Sequence, residues 1–276
     1  MPPIRYLPAA FLFVSCAVSA ADLPLWEVGL GAAAISLPDY RGADTRTNRV
    51  LPAPYFVYRG ERLRADRNGI RTEMFETDRA SLELSLNATL ARSGTDTPAR
   101  RGMESLRPLV EFGPALNLHV WRAGGTALDL RLPVRTAYTV QSSPRHAGWL
   151  FAPNLLLRSD RVPGLAGWRG SVQAGPQFAT RAYHDYVYSV GTTEALPDRP
   201  AYAAPGGYSG MQATVTLSKR FANAWAGAYV RQDWLRGAAF IDSPLVRQQA
   251  GTTAGIAVAW ILGTSQRNAA AGDTVD

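Results

Sequence analysis

The chain is short of lysine, cysteine and histidine. Lys219 is the single lysine among 29 lysines and arginines, Cys16 is the single cysteine, and the three histidines, His119, His146 and His184, lie far apart. Each scarcity excludes something. The arginines are spread along the chain with no basic run that interleaves aromatics, so a net charge of +7 does not make a nucleic-acid-binding strip. Histidines without ligand spacing leave no pattern for a metal centre. One cysteine leaves no disulfide, and stability has to come from backbone pairing and burial. Beyond the N-terminal segment no apolar run reaches transmembrane-helix length, so a membrane-bound form of this chain crosses as strands.

The N-terminus points to export. Arg5 supplies a positive start, Leu7–Val18 is an apolar stretch, and Val18-Ser19-Ala20 offers small residues for cleavage. A signal peptide over residues 1–20 is expected, cut after Ala20 or Ala21, with a barrel over 21–263 and a polar periplasmic tail over 264–276. Phe13-Val14-Ser15 before Cys16 makes a poor lipidation site.

What is abundant is period-two alternation. In Ser81–Leu90, Leu82, Leu84, Leu86, Ala88 and Leu90 fall on one face, with Glu83, Ser85, Asn87 and Thr89 on the other. Val110, Phe112, Leu116, Leu118 and Val120 then oppose Glu111, Asn117 and His119, and Leu128, Leu130, Leu132 and Val134 oppose Asp129, Arg131 and Arg135. Successive strand side chains point to opposite faces, whereas a helical step would scatter these leucines. Similar patterns start at Trp26, Leu51, Trp149, Trp168, Met211, Ala224 and Ile256, and Asn68-Gly69 marks a hairpin of two short strands. The sum is an all-β fold of about twelve antiparallel strands.

Strand and connection lengths argue for a transmembrane barrel over a soluble sandwich. The clean strands run to about ten residues, the length a tilted strand needs to cross a bilayer. Connections alternate in length: those near Arg59, Asp78, Ala123 and Asn223 are short and Asp160–Ala166 is intermediate, whereas Arg92–Leu106, Tyr183–Gly206 and Gly237–Gln249 are long. That asymmetry is the outer-membrane pattern, with short turns and both termini in the periplasm. Trp26, Trp121, Tyr138, Trp149, Trp168, Trp234 and Trp260 fall near strand ends, where an interfacial girdle would lie. Glu83, Glu111, Asp129, Arg131, Arg135, Arg181 and Asp233 are expected inside, either plugging the lumen through ion pairs or lining a narrow pore.

Thr97-Pro98-Ala99-Arg100-Arg101-Gly102-Met103-Glu104-Ser105-Leu106, followed by Glu111-Phe112-Gly113-Pro114, resembles the MltA-interacting protein (MipA)/OmpV family of Gram-negative outer-membrane proteins. Pro38–Asp44 and the Pro54…Tyr58-Arg59 spacing resemble it too. Glu104-Ser105 departs from the Pro-Asp usual there, and a tail follows Trp260-Ile261-Leu262 where family barrels tend to end on an aromatic residue. The resemblance implies contact with outer-membrane lipid and lipopolysaccharide. It also implies a scaffold that holds a murein lytic transglycosylase and a murein synthase together; the alternative is a narrow solute channel or surface adhesin.

No catalytic, cofactor-binding or metal-binding residues are expected. His119 is the one candidate base, as in a Ser-His pair of a barrel wall, but no nucleophile motif accompanies it. Arg100-Arg101 reads as a partner- or lipopolysaccharide-facing patch or as an ordinary solvated loop.

Overall fold

The computed structural model describes residues 23–60, 63–66, 69–89 and 97–269, so the expected signal peptide and residues 270–276 lie outside the described residues. The strands are β1 (Trp26–Pro38), β2 (Arg46–Arg59), β3 (Leu63–Asp66), β4 (Gly69–Glu76), β5 (Ala80–Thr89), β6 (Leu109–Ala123), β7 (Thr126–Thr139), β8 (His146–Phe151), β9 (Asn154–Ser159), β10 (Arg169–Ala179), β11 (Gly207–Arg220), β12 (Ala224–Trp234) and β13 (Ala250–Thr264). All neighbours are antiparallel, and β13 returns to pair with β1 from Glu27↔Thr264 to Ser36↔Ala254, which closes the sheet into a barrel.

β8 and β9 occupy one position in the wall. Both pair with β7 on one side and β10 on the other, and Val134↔Phe151 and Arg131↔Asn154 lie on one continuous register. The interruption is chemical, because Pro133 faces this position from β7 and Pro153 faces β10, and neither has an N–H for the ladder. Counting the pair once, the thirteen segments make a twelve-strand wall among the described residues.

The apolar phase of every clean strand faces outward. Leu30, Leu84, Phe112, Leu116, Val134, Leu155, Val215, Ile256 and Leu262 are exposed large hydrophobics, an arrangement stable only against lipid. The opposite phase of β6 is buried at Leu109, Glu111, Gly113, Ala115 and Asn117. Exposed Trp26, Trp121 and Trp260 ring the short-turn end, and exposed Trp149 and Trp234 ring the other.

Past the short-turn rim the two chain ends hold each other. Leu25 N donates to Arg267 O at 2.8 Å, Ala269 N to Leu23 O at 2.8 Å, and Ser265 N to Trp26 O at 3.0 Å. At the long-connection end a helix, α1 (Arg181–Tyr188), sits where only a polar loop is expected from the sequence. Arg181, expected in the lumen, is instead the first residue of that helix; its side chain is 69% exposed and lies 3.4 Å from Asp185. The strand alternation does not extend to Arg181, because β10 ends at Ala179 and Thr180 turns the chain into the helix.

Candidate functional site

The inner face of the wall carries paired charges in tiers, each built across neighbouring strands. Nearest the short-turn end, Glu27 of β1 is fully buried; Arg220 Nε donates to it at 2.8 Å, Tyr55 Oη at 2.8 Å, and Arg59 lies 3.5 Å away. On the far wall Asp129 accepts from Arg158 at 2.5 Å and meets His119 Nδ1 at 2.8 Å. One level further, Arg131 donates to Glu83 at 2.8 Å and to Asn117 at 3.0 Å. Higher still, Glu111 accepts from Asn87 at 3.1 Å and from Tyr183 Oη at 3.0 Å, with Arg135 3.6 Å away. Close beneath the long loops, Asp233 accepts from both Arg41 Nε and Arg231 Nε at 2.9 Å. A buried carboxylate is tolerable only when paired and hydrogen-bonded, and each of these is. Of the seven charges expected inside, six form this scaffold and Arg181 does not.

The long-connection mouth carries its own small core. Tyr40 and Ala43 from the β1–β2 loop, Leu106 from the β5–β6 loop, Val187, Tyr188, Val190 and Ala204 from the β10–β11 loop, and Leu235, Phe240 and Leu245 from the β12–β13 loop pack together. Tyr188 stacks on Phe240 with ring centroids 3.6 Å apart. Polar ties fix the loops to one another. Asp39 accepts from Thr45, Thr47 and Thr97 hydroxyls at 2.6–2.7 Å, so one carboxylate joins two loops. Tyr40 Oη donates to Leu245 O at 2.7 Å, and Tyr188 Oη to Arg41 O at 2.9 Å. Gly42, at φ 96°, turns its carbonyl to accept from both Arg247 N and Gln248 N, a backbone conformation that favours glycine.

Arg100 belongs to this cap and not to a solvated patch. It is only 6% exposed and donates to Val187 O at 2.7 Å, capping the last turn of α1. Arg101 is exposed beside it. Arg199, also buried, donates to Ala99 O at 3.1 Å, Arg101 O at 2.9 Å and Glu194 O at 2.6 Å. Nothing in the sequence marks Arg199 as different from the other arginines, since two of its three acceptors are carbonyls of a segment 98 and 100 residues away.

Two histidines have an orienting partner, and neither makes an open catalytic pair. His119 is held by Asp129, but its Nε2 meets no hydroxyl among the described residues. His184 accepts or donates at Nε2 to Ser209 Oγ, 2.6 Å away, and its Nδ1 lies 2.6 Å from Pro205 O. A carbonyl only accepts, so Nδ1 carries the proton and Ser209 donates to Nε2. Ser209 and His184 are 2% and 1% exposed, with Phe240 edge-on against the imidazole at 4.6 Å. That leaves no room for a substrate carbonyl. Burial also lowers the His184 pKa, keeping the ring neutral. No group of three or more histidine, cysteine or acidic side chains among the described residues has metal-site geometry.

The family model for "MltA-interacting protein MipA" matches residues 30–262. The chain belongs to that family. Its motifs meet in space: Pro38–Asp44 and Thr97–Leu106 form two sides of the cap, and Glu111 with Gly113 lies directly beneath. At Gly113 a Cβ would fall 2.1 Å from Val134 O, so the motif glycine permits close approach of β6 to β7. No curated protein matches the chain. Among solved structures it is similar to outer membrane phospholipase A from Escherichia coli, at 15% identity over 88% of this chain and 98% of that one, TM-score 0.36. It is also similar to the CymD monoaromatic hydrocarbon channel, at 12% identity over 88% of this chain and 90% of that one, TM-score 0.33. Likeness at this level does not reach to sites.

Proposed function

We propose that this outer-membrane barrel is non-enzymatic and acts as a scaffold, holding a murein lytic transglycosylase and a murein synthase together on its periplasmic, short-turn face. The observation that carries this reading is that ion pairs cross the inside of the barrel and a packed cap of loops lies over the long-loop mouth. A barrel crossed and capped in this way offers surfaces rather than a passage. The family's name, MltA-interacting protein, supports the transglycosylase as one of the two partners. The short-turn end offers exposed Arg79, Arg122, Arg161 and Arg267 together with the connection Asp160–Ala166, and these are the groups a periplasmic enzyme could reach.

The test is capture of each murein enzyme by the purified barrel in vesicles. Charge reversal at Asp160 and Arg161, or removal of residues 270–276, should weaken capture while leaving the heat-shift of the folded barrel on a gel intact. Substitution of Arg101 on the opposite end should leave capture unchanged. Capture that ignores the short-turn changes, or a steady ohmic current in a planar bilayer, would instead favour the channel reading.

A further inference from the structure

Among the described residues, the wall is incomplete on the long-loop side of β2. That strand pairs with β1 along its whole length, from Trp26↔Tyr58 to Pro38↔Arg46, but with β3 at only Tyr58↔Ala65 and Arg59↔Arg64. β3 and β4 pair with each other from Leu63↔Thr72 to Asp66↔Gly69. Across the gap, β5 pairs with β6 throughout but with β4 only from Ser81 to Ser85. Among the described residues, a wedge therefore separates the upper part of β2 from the upper part of β5.

Two inward-phase side chains confirm that the wedge is open. Leu51 shares the phase of Tyr55, which points at Glu27, yet it is 40% exposed. Asn87 shares the phase of buried Ser81 and Ser85 and is also exposed, while bonding Glu111 at 3.1 Å.

The sequence also sets the chemistry of the β2 edge. Arg59 N–H donates to Leu25 O, toward β1. N–H directions alternate along a strand, and the β1–β2 register has no shift, so even-numbered β2 residues face the wedge. Pro52 and Pro54 stand there and have no N–H. The edge is rich in carbonyl acceptors and poor in donors, so it blocks the addition of another strand. Carbonyls within the hydrocarbon region still need partners. Outside the edge, Val50 and Phe56 are 77% and 55% exposed and form an apolar rim.

We propose that this wedge is a binding site for a lipid-like amphiphile of the surrounding leaflet, one whose head group donates N–H or O–H hydrogen bonds. The acyl chain lies along Val50 and Phe56, and the head reaches between the β2 carbonyls and the Asn87–Glu111 pair. With the cap over the mouth, this gap is a lateral opening among the described residues.

Cys16 is the only cysteine, so in a Cys16→Ser chain single cysteines report one place each. Asn87→Cys, Leu51→Cys, Ser81→Cys and Phe112→Cys are labelled with a small fluorophore. The labelled protein is placed in vesicles of acyl-brominated phosphatidylethanolamine or phosphatidylcholine, which differ in head-group donors. Phe112→Cys faces lipid and should be quenched equally by both. Asn87→Cys and Leu51→Cys should be quenched several-fold more than Ser81→Cys, and Leu51→Cys, which keeps the Asn87–Glu111 pair, several-fold more by phosphatidylethanolamine than by phosphatidylcholine. Quenching at both wedge positions no greater than at Ser81→Cys overturns the site, as does equal quenching of Leu51→Cys by the two lipids. Protection of both positions with appearance of a dimer would mean a second copy occupies the edge, and also overturns it.

Discussion

At the scale of single residues, phase decides tolerance and the tertiary structure refines it. Leu84 is 44% exposed on the lipid face, so Leu84→Arg should cost about 2–4 kcal/mol near the bilayer midplane and reduce the heat-modifiable folded fraction. By phase alone Ser85→Arg would be mild, because Ser85 faces the lumen. The structure reverses that expectation, since Arg135 Nε already donates to Ser85 Oγ at 3.1 Å and a second guanidinium there meets like charge. Ser85→Arg should therefore lower folding yield, and the double change with Arg135→Ser should restore it. In the cap, burial pushes the Tyr40 hydroxyl up to about 12, and Tyr40→Phe leaves Leu245 O without its donor at a cost of about 1 kcal/mol. Faster proteolysis of the long loops, at unchanged barrel stability, is the expected readout.

At the scale of the element, the cap is a second folding unit made of loops, and His184 gives it a pH dependence. Its pKa is lowered in the folded cap, chiefly by burial, so the open form binds the extra proton. Cap stability is therefore full above the ordinary histidine value of about 6.5 and falls as pH drops through and below it. Hydrogen exchange of α1 should accelerate on acidification, and His184→Gln should flatten that response. An exchange rate in the native chain that does not change between neutral and mildly acid pH would contradict the assignment. Arg100 ties the β5–β6 loop to the end of α1, and Arg100→Ala should cost about 2 kcal/mol of cap stability through its lost charged hydrogen bond. Proteolysis at Arg181 and Arg199 should rise, with little change in the melting of the strands.

At the scale of the whole molecule, pairing around a closed sheet supplies what a chain with one cysteine, and so no internal disulfide, needs. β1 and β13 close the wall, and the termini extend the same pairing beyond it to Leu23 and Ala269. Removing residues 265–276 should therefore loosen the closing seam more than removing 270–276 alone. The midpoint of the gel heat-shift separates the two outcomes. Because Leu25 N and Leu23 O lose their partners only in the longer deletion, scaffold tests with it would confuse binding with folding.

Period-two alternation along the chain, clearest in Leu82–Leu86, Phe112–Val120 and Leu128–Val134, was enough to determine strands, their lipid faces and twelve wall positions, and connection lengths gave the side carrying the long loops. A period of two is local chemistry, and each residue reports its own face. The inward charges were legible for the same reason, with Arg181 failing only where the strand had already ended. The motif Thr97–Leu106 could be recognised but not located, because its partners Asp39, Val187 and Arg199 are distant in sequence and meet only when four loops fold over one mouth. The Ser209–His184 pair and the wedge beside Pro52 and Pro54 were likewise invisible. A buried hydrogen bond and an unpaired edge are properties of which segments come together, and closure of the barrel alone sets that.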